Sequence, residues 1–391
     1  MSGKPTFTTV QHIRFGDVFR FGSILRAIGS SLNPTRIGIA MFTLALLVGG
    51  GRLWDAAVTS DASVKGPFAV AIEGYGEAAD DIIHATLSVD VRDFVKAVGE
   101  MLWQTPANIW NSGHRWFVAF FGLWAAAVLA FGGGLLCRLE AVTVAQGRPA
   151  PLDPAFAMTV TRWPAFFMAL LIPCVLIAML AIALLLFGLL FLNIPILNVI
   201  GSIFYGMALL LGLAMALLLT GYAVAGLLLL PAVATENCEG PDALHRALAY
   251  VVAKPLSWLL YLFMIMLGLA LGLMIVISIA ELTTYLTQEL VDLWTFNDTM
   301  PVVEAAMRGK DAPDASWHVH WTGTLIGVWT GLIQWAVVGW AIAYIMAAST
   351  RAYLLMRRAC DDQDERDIWW PGMIPGTLAP APPEDAPESG D

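Results

Sequence analysis

Two histidines two residues apart, His318 and His320, are the first candidates for chemistry, because imidazole nitrogens bind zinc and copper. In an extended segment alternate residues share a face, so both could bind one metal ion, with His114 as a third ligand. Trp317 and Trp321 flank the pair, however, which is typical of the aromatic belt at a membrane boundary. We therefore predict no metal, no cofactor and no catalytic residue, and keep the three histidines as the metal candidates.

The long apolar stretches of the chain contain no Asp, Glu, Lys, Arg or His. Proton relays, ion-coupled transporters and intramembrane hydrolases place such groups at membrane depth. The sequence therefore argues against ion-coupled transport and against catalysis inside the membrane. A passive channel lined by backbone and uncharged polar groups, such as Thr330 and Gln334, remains open.

The elements that must position these residues are apolar stretches long enough to cross a bilayer. No charged side chain occurs between Arg162 and Glu236, and this leucine-rich stretch holds two spans with a break near Asn193. The composition agrees, with 58% hydrophobic and 13% charged residues. Four further stretches qualify, at 37–51, 116–137, 256–280 and 322–349. We predict an all-α, polytopic integral membrane bundle of six transmembrane helices.

The charge distribution predicts the orientation of the bundle. Most of the 21 lysine and arginine residues lie at the same predicted end, so the positive-inside rule places both termini in the cytoplasm. The outer loops are then about 52–115 and 281–321. All four cysteines lie in the membrane or on the inner side, so no disulfide is expected. No signal peptide is expected, because a basic segment about 35 residues long precedes the first apolar run.

An amphipathic segment and a proline precede three of the spans. We predict three hairpins, each preceded by a cytoplasmic amphipathic helix, either as an internal repeat or through convergent pressure on chains that re-enter a bilayer. The three units are 11–32 with Pro34, 153–162 with Pro164 and 241–254 with Pro255. The predicted divisions are a cytoplasmic segment 1–35, a membrane domain 36–358 and an acidic, proline-rich tail 359–391.

Gly323, Gly327 and Gly331 recur at steps of four residues in the sixth span. Such a stripe lets another helix approach closely. Gly268 and Gly272 in the fifth span are the predicted partners, and self-association through the same stripe is the alternative.

Two further groups are candidates for binding at the inner surface. Arg246 and Lys254 are predicted to contact anionic lipid head groups. Trp369 and Trp370 lie in the tail, whose composition predicts that it buries too little to fold. Two adjacent tryptophans should dock either on the inner face of this chain or on a partner protein. The net charge of −10 comes largely from outer loops and tail, and no nucleic-acid partner is predicted.

Two passages carry a resemblance to known proteins: GPDALHRALAY at 240–250 and STRAYLLMRR at 349–358. They resemble uncharacterised six-span membrane proteins of planctomycete-type bacteria and, more distantly, the membrane domain attached to some glycerophosphodiester phosphodiesterases. The similarity covers mainly the second half of the chain. It implies a helical bundle in a bacterial inner membrane. No phosphodiesterase activity is implied, because nothing in the chain matches that catalytic domain.

These features together favour a non-enzymatic membrane protein that acts by packing. The leading hypothesis is a scaffold or accessory subunit of a membrane complex, or an organiser of lipid. The alternative is a passive channel or facilitator for a small solute or lipid. An enzyme with a lipid substrate and a site built from the three histidines is the third possibility.

Overall fold

The computed structural model describes residues 21–59, 65–88, 90–193, 197–293 and 317–379, and its regular elements in these ranges are helices. The helices are α1 (Gly22–Leu25), α2 (Ala27–Ser31), α3 (Pro34–Val58), α4 (Pro67–Ser88), α5 (Val91–Gly99), α6 (Thr105–Asn111), α7 (Gly122–Gln146), α8 (Leu152–Phe187), α9 (Leu197–Ile203), α10 (Tyr205–Glu236), α11 (Gly240–Ala253), α12 (Pro255–Asp292) and α13 (Trp317–Asp361). Turns of π-helix at Phe117–Phe121 and Gly188–Leu192 extend α7 and α8.

Six of these helices are long and apolar enough to cross a membrane, which confirms the predicted all-α, polytopic bundle. The shortest has 25 residues and the longest 45. At about 1.5 Å per residue, even the shortest exceeds a hydrocarbon thickness of about 30 Å. The six spans are α3, α7, α8, α10, α12 and α13.

The second, fourth and sixth spans form the centre of the bundle. Helices α7, α10 and α13 all contact one another. The other spans pack around them, with α3 against α7 and α13, α8 against α7 and α10, and α12 against α13.

Burial is concentrated at one end of the bundle. Helix α7 is buried without interruption from Gly132 to Val142, and α10 from Leu228 to Glu236. Toward the opposite end large apolar side chains are exposed, and Ile203 of α9, for example, is 75% exposed. We call the packed end the polar end, because it holds the buried charged residues Arg36, Arg138, Glu140, Glu236 and Arg357.

The predicted amphipathic helix before the fifth span is α11, whereas no separate helix precedes the third. Before the first span, the described part of the predicted segment 11–32 forms the short helices α1 and α2, and residues 11–20 lie outside the described residues. Pro34 and Pro255 each begin a span, as predicted. Pro164 instead lies inside α8, which runs continuously from Leu152, so the prediction of a separate helix at 153–162 is wrong. Proline is tolerated within membrane helices because neighbouring groups compensate for the lost backbone hydrogen bond.

The outer loops also differ from the prediction. Helix α12 continues to Asp292, so the start of the predicted loop 281–321 is part of the helix of the fifth span. In the first outer loop, the Asp55 carboxylate accepts hydrogen bonds from the backbone N–H groups of Phe68 and Ala69, at 2.8 and 3.1 Å, and so ties α3 to the start of α4. A small apolar cluster of Phe68, Ala71, Ile109 and Phe117 closes this loop.

The fifth span packs on the sixth through the predicted Gly268 and Gly272, but on the sixth span they meet aromatic side chains instead of the glycine stripe. Gly268 and Gly272 lie against Tyr344 and Trp340 of α13, where an added Cβ would come within 2.1 Å of each aromatic side chain. Gly323 is buried. A Cβ at Gly327 or Gly331 would meet no atom within 4 Å, so these two glycines lie at no close helix contact.

We expect Gly272→Leu to lower the free energy of unfolding by about 1–3 kcal/mol, because the new side chain must displace Trp340. Gly327→Leu is the matched control, since its site is open. Thermal unfolding of both detergent-purified variants measures the difference. Equal melting temperatures for the two variants would contradict this packing.

Candidate functional site

The polar end contains two buried glutamates at the ends of apolar helices. Glu140 lies near the end of α7 and is 0% exposed, and Glu236 is the last residue of α10 and is 3% exposed. A buried carboxylate is stable in its charged form only if cations and hydrogen-bond donors surround it. Each glutamate therefore requires a set of partners from other elements.

Glu140 is held by two arginines and a serine. Arg36 from α3 and Arg351 from α13 both form ion pairs with its carboxylate. Ser30 from α2 donates a hydrogen bond to it at 3.1 Å. Arg36 also donates to the Thr143 hydroxyl at 2.7 Å. This cluster joins the first, second and sixth spans to the amphipathic segment that precedes the first.

Glu236 has a corresponding set of donors. Arg246 from α11 forms an ion pair with its carboxylate, and the Tyr353 hydroxyl donates a hydrogen bond to it. A guanidinium nitrogen of Arg357 lies 3.9 Å from the same carboxylate. Helix α13 thus supplies one arginine to each glutamate.

Arg138 lies on α7, is 3% exposed and has different partners. It donates hydrogen bonds to the carbonyl oxygens of Ala234 and Trp369, both at 2.9 Å. Its guanidinium also lies over the Trp370 ring, 5.6 Å from the centroid. Two carbonyls and one aromatic face therefore surround this charge.

The tail segment, residues 362–379, lies against the polar end. The Trp369 N–H donates to the Thr235 carbonyl at 2.7 Å, and the Gly376 N–H donates to the Glu236 carbonyl at 2.9 Å. Ile368 is 1% exposed and packs against α7 and α13. The expectation that the tail buries too little to fold is wrong for this segment, because arginines of the bundle bind its backbone. Residues 380–391 lie outside the described part of the chain.

The tryptophan pair, for which two docking surfaces were possible, lies on this chain's own helices. Trp369 is bonded to α10, and Trp370 stacks on Arg138 of α7. Docking of Trp369 and Trp370 on a partner protein stays a prediction.

The two residues predicted to bind lipid head groups are placed differently. Arg246 pairs with Glu236 and donates to the Gly376 carbonyl at 2.8 Å, so its guanidinium is already engaged. Lys254 is exposed at the end of α11. A head-group contact at Lys254 stays a prediction.

The candidate histidine site assumed an extended segment, in which His318 and His320 would share a face. The segment is helical from Trp317, and positions two apart on a helix do not share a face. Among the described residues, no group of three His, Cys, Asp or Glu side chains could hold a metal ion. His114 lies in the turn between α6 and the second span, and the side chain of His320 lies outside what the structure describes.

Sequence reasoning missed the polar end because it searched for charges only inside the spans. Arg138 and Glu140 directly follow the predicted stretch 116–137, and Arg351 follows 322–349. Opposite charges at the same end of several spans are the signal that could have predicted this cluster.

Cys238 lies beneath the tail segment and is 1% exposed. Burial raises the pKa of its thiol to about 12, and the nearby Asp242 carboxylate contributes in the same direction. A thiol with this pKa is protonated at neutral pH and is a poor nucleophile.

Comparison with known proteins gives no matching family model, no matching curated protein and no matching solved structure. The assignment of function therefore depends on the geometry of this chain.

We expect Glu140→Gln to lower the free energy of unfolding by about 3–5 kcal/mol, because the buried Arg36 and the partly buried Arg351 would lose their counter-charge. The matched control is Glu239→Gln, which breaks a pair with Arg162 in which the carboxylate side chain is 63% exposed, and this should cost less than about 1 kcal/mol. Denaturant unfolding in detergent measures both. Similar losses for the two variants would show that the Glu140 cluster contributes no more than a surface pair.

Labelling of Cys238 should be slow and should rise steeply with pH. With a thiol pKa of about 12, its thiolate fraction should grow about tenfold per pH unit between pH 7 and 10. The measurement is maleimide labelling of the folded protein with Cys137, Cys174 and Cys360 changed to alanine. Unfolded protein is the control, because an ordinary thiol is largely thiolate near pH 9 and its labelling rate approaches a maximum there. A plateau near pH 9 in the folded protein would contradict this environment.

Proposed function

We propose that this multi-pass membrane protein is a non-enzymatic scaffold or accessory subunit that binds another transmembrane segment within the bilayer. The observation that carries the proposal is an unpartnered polar face on the outer half of α13. Gly327, Gly331 and Gln334 follow at steps of four and three residues and therefore share one side of the helix.

Gln334 is exposed on this face. Within the described part of the chain, its amide forms no hydrogen bond. An uncompensated amide in hydrocarbon is costly, because lipid tails offer neither donors nor acceptors. A second helix with a polar side chain would remove that cost, and the open glycines would let its backbone approach closely.

A groove beside this face supports the same proposal. It has a volume of about 520 Å³ and lies between α3 and α13. Gly331 contributes to both the face and the groove. The lining residues are Met41, Phe42, Ala45, Val328, Gly331, Leu332 and Trp335.

The polar end supplies the rigidity that a scaffold needs. The Glu140 and Glu236 clusters join the second, fourth and sixth spans at one end, and the other ends are free to contact partners in the membrane. The Thr330 hydroxyl donates within its own helix, to the carbonyls of Ile326 and Gly327 at 3.2 and 3.0 Å. This arrangement makes Thr330 a weaker candidate for the lining of a solute path.

We place the protein in a bacterial inner membrane with the polar end toward the cytoplasm. The charge asymmetry of the loops supports this orientation, and the resemblance to six-span bacterial proteins supports the membrane. Both are part of the proposal.

We expect another subunit, or a second copy, to co-purify with the chain in mild detergent, because α13 presents the contact face. Gly327→Leu and Gln334→Leu should each lower the recovered partner at least about tenfold, since each removes a close approach or a hydrogen bond. Native mass spectrometry measures the stoichiometry. The matched control is Gly206→Leu, at an open glycine of α10.

A monomer that is unchanged by all three substitutions would refute the scaffold proposal. A pure homo-oligomer that passes solute in proteoliposomes, with a flux altered by Gly327→Leu, would instead favour the passive channel.

A further inference from the structure

Three arginines from three different helices converge on the last turn of α10. Arg138 binds the carbonyl of Ala234, and Arg246 and Arg357 both face the carboxylate of Glu236. Each of the three also donates at least one hydrogen bond to a backbone carbonyl of the tail segment.

The three arginines have few direct contacts with carboxylates. Arg246 and Arg357 face Glu236, whereas Arg138 contacts carbonyl oxygens and an aromatic ring. The charges of Asp367 and Asp361 also act on Arg357, with no ion pair to it among the described contacts. Arg357 is fully buried, yet its Nε and Nη1 atoms have no hydrogen-bond acceptor. Unsatisfied buried donors are costly, so this set of arginines has capacity for a further acceptor.

Neutral carbonyl oxygens of the tail occupy the other donors. Arg357 donates to the carbonyls of Asp364 and Asp367, the first at 3.0 Å. Arg138 donates to Trp369 at 2.9 Å, and Arg246 to Gly376 at 2.8 Å. A phosphate oxygen adds the attraction of its negative charge to the hydrogen bond with guanidinium, which a neutral carbonyl oxygen does not, and phosphate offers several such oxygens.

We propose that residues 364–376 are a displaceable plug over a phosphate-binding site formed by Arg138, Arg246 and Arg357. The plug holds its place through backbone hydrogen bonds and through its permanent attachment to α13, which gives it a high effective concentration. A phosphate group, carried by a lipid head group or by a soluble compound, competes for the same guanidinium donors.

The same geometry supplies a reporter of displacement. A Cβ at Gly376 would lie 3.9 Å from the Cβ of Cys238, so the tail segment covers this buried thiol. When the plug leaves, Cys238 becomes accessible to labelling. The thiol itself takes no part in the site.

The test uses the full-length protein with Cys238 as its one cysteine, reconstituted in nanodiscs at constant ionic strength. In one arm, maleimide labelling is measured with added inorganic phosphate in discs of the zwitterionic lipid phosphatidylcholine. In the other arm, no inorganic phosphate is added and the discs contain the anionic lipid phosphatidylglycerol. We expect labelling to accelerate at least about tenfold in one arm. Acceleration by inorganic phosphate identifies a soluble ligand, and acceleration by phosphatidylglycerol alone identifies a lipid head group.

Variants separate the site from a general effect of anions. Arg138→Gln should abolish the acceleration, and Arg246→Gln, at a more exposed position less critical for folding, should reduce it. Arg148→Gln is the matched control, because Arg148 is exposed and binds only Gln146 in the described contacts. Trp369→Ala should weaken the plug and tighten phosphate binding in isothermal titration at least about tenfold.

Unchanged Cys238 labelling in both arms would overturn the proposal. So would an acceleration that Arg138→Gln and Arg246→Gln leave intact. Either result would assign the tail segment a purely structural role. Neither would change the outcome expected for Gly327→Leu, which tests the proposed function separately.

Discussion

The structure depends on the cost of placing a carboxylate where water cannot reach it. Glu140 and Glu236 end apolar helices and are buried, so each must be surrounded by guanidinium and hydroxyl donors. Arg351 and Arg357 lie six positions apart on α13, or about 9 Å along the helix, and reach the two glutamates in turn. This spacing fixes the axial position of α13 relative to both α7 and α10. The segments α2 and α11 are positioned by the same clusters.

The spans pack closely at the polar end and less closely at the opposite end, and this difference follows from the lipid that surrounds them. Lipid tails provide no hydrophobic drive between helices, so polar pairs and close approaches at small residues determine where the spans pack. Both are concentrated at the polar end, where Gly133 and Gly134 admit side chains of α10, α13 and α8. At the opposite end the spans present leucine, isoleucine and phenylalanine to lipid, and Gln334 is an exception on that surface.

Composition and apolar run length were sufficient to predict the six helices, because a bilayer imposes its thickness on each span independently. Pro34 and Pro255 could also be predicted as helix starts. Pro164 lies inside a helix, which could not be predicted, because only the neighbouring helices decide whether a proline can lie inside a span. The Glu140 cluster joins residues more than two hundred positions apart, so its pairing depends on helix register, which no local pattern contains. The docked tail was missed for a related reason, since its backbone rather than its side chains makes most of the polar contacts.

The placement of both pairing arginines on α13 has a consequence for biosynthesis. Helices α7 and α10 are synthesised and enter the membrane before α13, so each glutamate at first has only its earlier or adjacent partner, Arg36 or Arg246. The half-made protein therefore has one guanidinium at each carboxylate and no polar contact that ties α7 or α10 to the last span. Insertion of α13 brings a second arginine to both glutamates at once, so the final packing of the polar end waits for the last span to be made.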